Sequence, residues 1–345
     1  MQSKNDSCLY FRGEGEATAY LAVYVDDIVV ACKSENEYDQ IIEDLNRCFK
    51  VTSLGNIRNF IGIEVRRSEE GISLNQSNYI RKLLNRFGME DAKSSKIPLD
   101  PGHTQTKEED ETLPNNHYFA SLIGGLLYVA VNTRPDIAVS VSILGRKMSC
   151  PSQADWVEAK RILRYLKYTV DHELVLGTKV QPLTVHVDAD WAGDATDRKS
   201  TSGYLFQFGG GTICWSSKKQ SCVTLSSTEA EYVALAECCQ ELQWIMRLLE
   251  DFAVNVVLPV TIYEDNQSCI KQLNAPNITR RSKHVETKHH FIRDLQKNNL
   301  ISTIYCPTSE MIADMLTKPL QAIKIQRFRE VVGILPSRRS VGAGD

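Results

Sequence analysis

Apolar residues alternate or recur at helical spacing along most of the chain. Near the N-terminus, Tyr20 to Cys32 (YLAVYVDDIVVAC) is an apolar, β-rich run, and apolar residues then recur at helical spacing over 35–49. A strand pair, Phe60 to Val65 and Ile72 to Leu74, is joined by a polar turn, and a second amphipathic stretch extends from about Gln76 to Phe87. The pattern predicts strand, helix, hairpin and helix over the first ninety residues.

The first apolar run has no evident element before it with which to pair. A lone strand leaves its backbone hydrogen-bonding groups open, so we expect upstream sequence to complete this region. A polar, acidic segment with three prolines, Pro98 to Asn116, predicts a linker after it. Two helical stretches then extend from Tyr118 to about Leu176.

The third region starts near Leu183 and alternates strands with helices. The predicted strands are LTVHVDADWAG, GYLFQF, TICWSS, CVTLSS, VTIYED and ISTIYC, and the main helices are Thr228 to Phe252, KHVETKHHFIRDLQKNN and EMIADMLTKPL. Antiparallel strands followed by strand–helix alternation predict an α/β (α+β) fold with a mixed five-stranded sheet and flanking helices. The predicted boundaries are 1–97, 98–180, 181–335 and a disordered tail, 336–345.

Composition and charge describe an ordinary globular protein. The chain has 345 residues, 42% of them hydrophobic and 24% charged, which predicts two or three domains. Its net charge is −3, so nucleic-acid binding would require local basic patches. Ten scattered cysteines without a C-x-x-C pair argue against a zinc site or a disulfide framework and favour an intracellular location. No apolar run approaches 18 residues, so we predict neither secretion nor membrane insertion.

Four acidic residues of the third region stand at the ends of predicted elements. Asp188 ends an alternating apolar run, Glu231 lies in the first turn of the long helix, Asp265 closes an apolar strand and Asp314 sits in the last helix. We expect them to converge on one sheet edge. Clustered carboxylates repel one another unless cations neutralise them, and hard oxygen ligands select Mg²⁺ or Mn²⁺. Such a cluster is the two-metal device of phosphoryl transfer.

Each acid alone has a simpler structural explanation. Thr228 and Glu231 have the spacing of a capping box. Asp265 could cap the helix that begins after Asn266, and Asp314 could be an ordinary surface carboxylate. The argument for a metal site therefore depends on the four acids together.

Five separated runs resemble the ribonuclease H domain of Ty1/copia-type retrotransposon Pol polyproteins, over about residues 183–335. They are VDADWAGDATDRKSTSGYLF, SSKKQSCVTLSSTEAEYVAL, YEDNQSCIKQL, RRSKHVETKHHFIRDL and IADMLTKPL. The resemblance implies a ribonuclease H-like fold in which Asp188, Glu231, Asp265 and Asp314 are catalytic and bind two Mg²⁺ ions, with Mn²⁺ as a substitute. Glu229 competes with Glu231, because residues two apart on a helix point about 200° apart and only one can face the metals.

The most basic stretch of the chain precedes the last strand. Arg280, Arg281, Lys283, His284 and Lys288 are predicted to grip the phosphates of a nucleic acid. No proton-transfer role is assigned to His284, His289 or His290, for which a position on a helix surface is an equally good explanation. Asp190, which shares a strand face with Asp188, is interpreted as structural rather than catalytic.

The paired aspartates near the N-terminus carry a second resemblance. Tyr24-Val25-Asp26-Asp27 is similar to the YVDD box of reverse transcriptases, and the runs SLGNIRNFIGIEV, GISLNQSNYIRKLLNRFGM, SLIGGLLYVAVNTRPDI and ILRYLKYT are similar to the later palm, thumb and connection of copia-type Pol. The resemblance implies that Asp26 and Asp27 are catalytic metal ligands of a polymerase. A plain hairpin turn with exposed carboxylates is the structural alternative.

Together these patterns predict a truncated copia-type Pol product with a complete ribonuclease H. A polymerase requires a further palm aspartate and fingers, which these residues do not supply, so we expect no polymerisation by this chain alone and a missing fingers and palm part as partner. The expected substrate is an RNA–DNA hybrid, and the family implies a cytoplasmic, virus-like-particle or nuclear location. The alternative is an inactive, element-derived nucleic-acid-binding or relic protein. A DNA nuclease is disfavoured.

Overall fold

The computed structural model describes residues 1–13, 19–69, 71–103, 111–275 and 286–337. The chain divides into two compact units. Unit 1 comprises Met1–Ile61 and Gln240–Val256, and unit 2 comprises Gly62–Cys239 and Val257–Asp345. The two units do not follow the domain boundaries expected from the sequence, and those boundaries stay a prediction.

Unit 1 contains a three-stranded antiparallel sheet and a helix. Its elements are β1 (Leu9–Arg12), β2 (Ala19–Tyr24), β3 (Asp27–Ala31), α1 (Glu35–Cys48) and β4 (Asn59–Phe60). The order in the sheet is β1-β2-β3. The expectation that β2 has no preceding partner is wrong, because Leu9 of β1 pairs with Ala22 of β2. The strand β1 is short and partly polar, so a search for apolar runs did not find it.

Unit 1 also includes the end of a long helix from later in the chain. The Tyr20 hydroxyl donates a hydrogen bond to the Phe252 carbonyl at 2.7 Å, and the two rings lie 4.8 Å apart. The Ser3 hydroxyl donates to the Asp251 carboxylate. Residues 240–256 therefore fold with the N-terminal strands, and a fragment that starts near residue 180 would lose these contacts.

Unit 2 begins with a hairpin and a group of helices. Its first elements are β5 (Ile63–Ser68), β6 (Gly71–Asn75), α2 (Ser77–Arg86), α3 (His117–Asn132), a 3-10 turn (Pro135–Ile137), α4 (Ala138–Gly145), α5 (Gln153–Tyr168) and β7 (His172–Gly177). The predicted hairpin is present as β5 and β6. Leu83, Leu126 and Ile162, from α2, α3 and α5, are buried in one apolar core.

A buried polar network ties these helices to the end of the chain. Arg134 is 2% exposed and forms a bidentate pair with Asp136, at 2.9 and 2.7 Å. The Tyr165 hydroxyl donates to Asp136 at 2.6 Å, and Arg329 donates to the same hydroxyl at 3.3 Å. Buried charges are tolerated only when they are paired and hydrogen-bonded. This network therefore holds α5 and the helix Ala322–Val331, which carries Arg329, in one arrangement.

The second sheet of unit 2 is the predicted mixed five-stranded sheet. Its strands are β8 (Thr184–Asp190), β9 (Thr201–Phe208), β10 (Gly211–Lys219), β11 (Val260–Glu264) and β12 (Ile301–Tyr305), in the order β10-β9-β8-β11-β12. The first three strands are antiparallel, and β11 is parallel to both β8 and β12. The expected α/β class is confirmed.

The helices and last strand of unit 2 are α6 (Ser227–Asp251, shared with unit 1), α7 (Gln267–Asn274), α8 (Glu286–Lys297), α9 (Asp314–Thr317), α10 (Ala322–Val331) and β13 (Ile334–Pro336). Within unit 2, β13, β7, β6 and β5 neighbour one another in that order. The run Cys222 to Ser227 was expected as a strand. Instead, residues 222–226 form a loop and Ser227 begins α6. No described helix combines the length and apolarity needed to cross a membrane.

Candidate active site

The site lies at one edge of the mixed sheet, where two parallel strands end. Tyr263 of β11 pairs with His186 of β8 in parallel register. Extending that register by two residues brings Asp265 opposite Asp188. The carboxyl ends of neighbouring parallel strands meet at the same edge, so the two aspartates that the sequence placed at strand ends are side by side.

Asp188 is buried although it points away from the apolar positions of its strand. It is 2% exposed, and the Thr317 hydroxyl of α9 donates a hydrogen bond to its Oδ2. The strand neighbour of Asp188 is Gly203, where a Cβ would lie 2.6 Å from Cγ2 of Thr317 and 2.8 Å from Cβ of Leu316. Only glycine therefore lets α9 lie directly on the strand beside Asp188.

Asp314 is the first residue of α9 and is fully buried. Its Oδ1 lies 2.6 Å from the Lys318 ammonium, and its Oδ2 accepts a hydrogen bond from Lys324. The alternative that Asp314 is an ordinary surface carboxylate is therefore wrong. The last predicted helix is only one turn long here, because the chain before it folds in turns.

Three aspartates form one group of possible metal ligands. Asp188, Asp265 and Asp314 each offer a carboxylate oxygen, and these oxygens lie within 4.8 Å of one another. Asp265 is half-buried and accepts a 2.6 Å hydrogen bond from the Thr308 hydroxyl. The capping role considered for Asp265 belongs to Asn266, whose side chain accepts from the backbone N–H of Cys269.

Glu231 belongs to a second group that shares Asp265. The oxygens of Glu231, Glu264 and Asp265 also lie within 4.8 Å of one another. Glu264 was not among the candidates from the sequence. The missed signal is its position: Val260, Ile262 and Glu264 are the buried positions of β11, so an acid stands on the buried face of the strand.

Glu229, the competing choice, has a capping role instead. The Ser226 hydroxyl accepts from the backbone N–H of Glu229, whose carboxylate in turn accepts from the backbone N–H of Leu225 at 2.7 Å. This reciprocal pair satisfies donors at the start of α6. Glu231 is therefore not needed as the cap and is 4% exposed beside Glu264 and Asp265.

Burial and mutual repulsion shift the acid equilibria of the centre. Burial raises the pKa of Asp188 to about 7, partly opposed by Lys318 and reinforced by Asp314. Burial also raises the pKa of Glu231 and of Glu264 well above the ordinary value, and each is raised further by neighbouring carboxylates. A bound divalent cation would offset both the free-energy cost of burying charged carboxylates and the repulsion between them. Carboxylate oxygens are the preferred ligands of such ions.

Asp190 lies two residues after Asp188 on β8 and is half-buried. Burial raises its pKa, while Lys318 and Arg146 lower it. It belongs to neither of the two carboxylate groups found in the described ranges.

Asp26 and Asp27 lie in unit 1 at the turn between β2 and β3. Both are exposed, and Asp27 pairs with Tyr24 across a two-residue turn. Val25 in that turn has φ of +54°, a conformation that β-branched residues seldom adopt. Their geometry is that of a tight hairpin with exposed carboxylates, and their predicted role as metal ligands stays a prediction.

The predicted basic stretch is only partly described. Arg280, Arg281, Lys283 and His284 lie outside the described residues, and Lys288 is half-buried on α8. His289 is not on the surface as expected: it is 1% exposed, and its ring stacks on Tyr232 at 4.8 Å. Burial lowers the pKa of His289 to about 4, so it is neutral at pH 7.

Comparisons with known proteins place the chain among transposon proteins. A family model described as reverse transcriptase (RNA-dependent DNA polymerase) matches residues 1–101. The retrovirus-related Pol polyprotein from transposon RE2 of Arabidopsis thaliana is 35% identical over 344 residues, which is 99% of this chain and 24% of that relative. A putative transposon Ty5-1 protein of Saccharomyces cerevisiae is 33% identical, over 68% of this chain and 77% of the relative.

Among solved structures, LC11-RNase H1, isolated from compost by a metagenomic approach, aligns with a TM-score of 0.32 and 18% identity, over 39% of this chain and 92% of that one. The chain spans about a quarter of the length of the Pol polyproteins that it matches. It belongs to the Ty1/copia-type family of retrotransposon Pol polyproteins.

Proposed function

We propose that residues 181–335 hydrolyse the RNA strand of RNA–DNA hybrids as the metal-dependent ribonuclease H of a copia-type Pol protein. The observation that carries this proposal is the convergence of Asp188, Asp265 and Asp314 within 4.8 Å at one sheet edge, with Glu231 next to Asp265. The acids come from two parallel strands and two helices far apart in sequence. An unrelated surface cluster would have no reason to gather buried carboxylates in this way.

The side chains present suit hard divalent cations. Carboxylates of Asp188, Glu231, Asp265 and Asp314 would hold Mg²⁺, or Mn²⁺ in its place, and buried oxygens of Glu231 and Glu264 have no hydrogen-bond partner within the described ranges. Two bound ions would activate the attacking water and stabilise the leaving oxygen. The products would carry 3′-hydroxyl and 5′-phosphate ends.

The neighbouring side chains keep these carboxylates in position. Thr317 donates to Asp188 and Thr308 donates to Asp265, so each aspartate has one oxygen held by a hydroxyl. Such partners of ligands orient them and affect metal affinity. Lys318 and Lys324 hold Asp314 and supply positive charge at the edge where substrate phosphates would approach.

We also propose which residues recognise the hybrid. The basic side chains Arg280, Arg281, Lys283, His284 and Lys288 would contact the phosphates. Discrimination of RNA from DNA requires contacts to 2′-hydroxyl groups. An intracellular location, in the cytoplasm or the nucleus, is part of the same proposal.

For the N-terminal region we propose a part of a reverse transcriptase that does not polymerise DNA by itself. Asp26 and Asp27 would be two of its metal ligands. A third palm aspartate and the fingers would come from another part of Pol, which would be the partner of unit 1. The second candidate for the whole chain is an inactive nucleic-acid-binding or relic protein. It is favoured by Asp26 and Asp27, which belong to neither group of possible metal ligands among the described residues.

The test is cleavage of a labelled RNA–DNA hybrid by the full chain with Mg²⁺, with Asp265→Asn as the inactive variant. Asp294→Asn is the matched control, because Asp294 is exposed on α8. We expect metal-dependent cutting by the wild type and the control but not by Asp265→Asn. Binding of the hybrid without cutting by a folded wild type would refute the proposal and favour the relic protein. Preferential cutting of duplex DNA would indicate a DNA nuclease.

A further inference from the structure

Glu264 lies among the acids of the centre, but it is not one of the four ligands expected from the sequence. It is the last residue of β11 and is fully buried. Its Oε1 accepts a 2.9 Å hydrogen bond from the backbone N–H of Asn266. Its Oε2 is buried and finds no hydrogen-bond partner in the part of the chain that the structure describes. A buried, unsatisfied carboxylate oxygen is strongly unfavourable unless a bound group supplies the partner, as for other buried polar groups.

The neighbouring Glu231 also has a buried carboxylate oxygen, Oε2, without a hydrogen-bond partner among the described residues. The ammonium groups of Lys318 and Lys324 make ion pairs with Asp314, and Lys318 also lies 3.8 Å from Asp188. In the described ranges, no ion pair joins a basic side chain to Glu231 or Glu264. The ion pairs of the protein's own cations thus lie at the Asp188–Asp314 end of the centre, and Lys318 acts on Glu231 only as a weaker, more distant charge.

The spacing of the oxygens defines what could occupy that end. Glu231, Glu264 and Asp265 each offer one oxygen, all within 4.8 Å of one another. A cation that binds oxygen at roughly 2.0–2.6 Å can contact ligands separated by up to about 5 Å. Two of the three carboxylates are almost completely buried and each carries an unpartnered oxygen among the described residues, which distinguishes this group from an ordinary acidic surface cluster.

We infer that Glu264 is a fifth carboxylate ligand of the centre, and that with Glu231 and Asp265 it binds one divalent cation beside the group formed by Asp188, Asp265 and Asp314. The inference rests on the proposed function and names a ligand that the function does not require. Asp265, which belongs to both groups, would be shared by the two ions. The additional negative charge strengthens binding of the cation on the Glu231 side.

The competing explanation is that Glu264 is a neutral acid that only donates a hydrogen bond to Glu231. Glu264→Gln separates the two. The amide keeps the shape of the side chain and can donate to Glu231, but it has no negative charge for a cation. Glu229→Gln is the matched control, because Glu229 is on the same helix as Glu231 and caps its start.

The experiment measures binding of Mn²⁺ and of Mg²⁺ to the metal-free full chain by titration calorimetry, with free Mn²⁺ counted by electron paramagnetic resonance. We expect Glu264→Gln to lower the affinity of one cation site by at least about tenfold or to abolish binding there. Glu229→Gln should leave this affinity unchanged. In EDTA the melting temperature of Glu264→Gln should equal or exceed that of the wild type, while its rise with Mn²⁺ should be smaller. Unchanged affinity in folded Glu264→Gln would overturn the inference.

If Glu264→Gln does not fold, Glu264→Asp replaces it. The shorter side chain keeps the charge but withdraws the oxygens by one methylene, so a ligand role again predicts weaker cation binding, and unchanged binding again overturns the inference. Hybrid cleavage measured in parallel separates the two proposals. Cleavage by the wild type with cation binding insensitive to Glu264 refutes only this inference, whereas Glu264-dependent binding without cleavage refutes only the proposed function.

Discussion

The ammonium of Lys318 lies 2.6 Å from Oδ1 of Asp314, one helical turn earlier in the chain. It also lies 3.8 Å from Oδ2 of Asp188, so one side chain reaches acids from a strand and from α9. Burial alone would lower the pKa of Lys318, but Asp188 and Asp314 raise it above its ordinary value. Lys318 therefore stays charged and offsets part of the repulsion between these carboxylates.

Replacing Lys318 should destabilise the metal-free protein more than the protein with bound Mg²⁺. Lys318→Met leaves Asp188 and Asp314 without this charge, and we expect a loss of about 1 kcal/mol in EDTA, since Lys318 is one-third exposed and solvent screens the pair. Saturating Mg²⁺ should reduce the difference. The measurement is the melting temperature in EDTA and in Mg²⁺, with the exposed Lys179→Met as control. An equal loss in both conditions would contradict this role.

The two glutamates at the start of α6 should behave differently. Since changes to groups that merely orient metal ligands cost roughly 10–100-fold, Glu231→Gln should lower metal-dependent cleavage of the hybrid by at least about 100-fold. Glu229→Gln keeps an acceptor for the Leu225 N–H and should stay within about twofold of the wild type. Initial rates at saturating Mg²⁺ make the comparison. If the Glu229 variant lost the activity instead, the assignment of ligand and cap would be reversed.

Gly203 should tolerate no side chain. The Cβ of Gly203→Ala would overlap Thr317 and Leu316, displacing α9 with Asp314, and overpacking of this kind costs about 1–3 kcal/mol. The control is Gly124→Ala on the exposed face of α3, where nothing lies within 4 Å. That change should stabilise by about 0.5–1 kcal/mol because alanine favours the helix. Urea unfolding midpoints should shift in opposite directions, and shifts of the same sign would refute the packing argument.

Acid should destabilise unit 2 partly through His172. Burial, with Arg329 and Arg134, lowers the pKa of His172 from 6.5 to about 4, against the opposing effect of Asp136 and Asp171. The unfolded chain binds a proton between pH 6.5 and 4 that the folded chain refuses, so stability is present above pH 6.5 and is lost as the pH falls through this window.

The corresponding variant is His172→Gln, which cannot take up this proton. Between about pH 7 and pH 5 the wild type should lose about 1 kcal/mol more than the variant, after allowance for the partial exposure of the ring. Urea unfolding at both pH values gives the difference, in which the other titrating groups cancel. Parallel losses in the two proteins would show that folding does not lower the pKa of His172.

Local patterns were sufficient for several elements and insufficient for others. Alternation and helical spacing predicted α1, the hairpin of β5 and β6, and the strands of the mixed sheet, because each carries its own apolar periodicity. β1 was missed because Leu9 to Arg12 is short and partly polar. Cys222 to Ser227 has a β-rich sequence, yet residues 222–226 pair with no strand among the described residues and form the loop before α6.

Which acids the chain offers, and where they stand along it, follows from the order of its residues alone. Asp188, Glu231, Asp265 and Asp314 were identified from motifs and from their places at the ends of elements, and the described structure brings each of them into one of two adjoining carboxylate groups. Their ligand and catalytic roles stay predictions. The separation of Glu229 from Glu231 also needed the structure, since both are near the start of one helix.

Which distant residues meet depends on how the strands and helices pack in the folded chain. The parallel register of β8 and β11 sets Asp188 beside Asp265, Gly203 leaves room for α9, and Lys318 lies close to two acids. Glu264 shows the same limit, because its neighbour Asp265 carries the recognisable motif while burial of β11 places Glu264 against Glu231. These contacts are set by packing between residues far apart in the chain, and a residue's own neighbours in sequence carry no record of them.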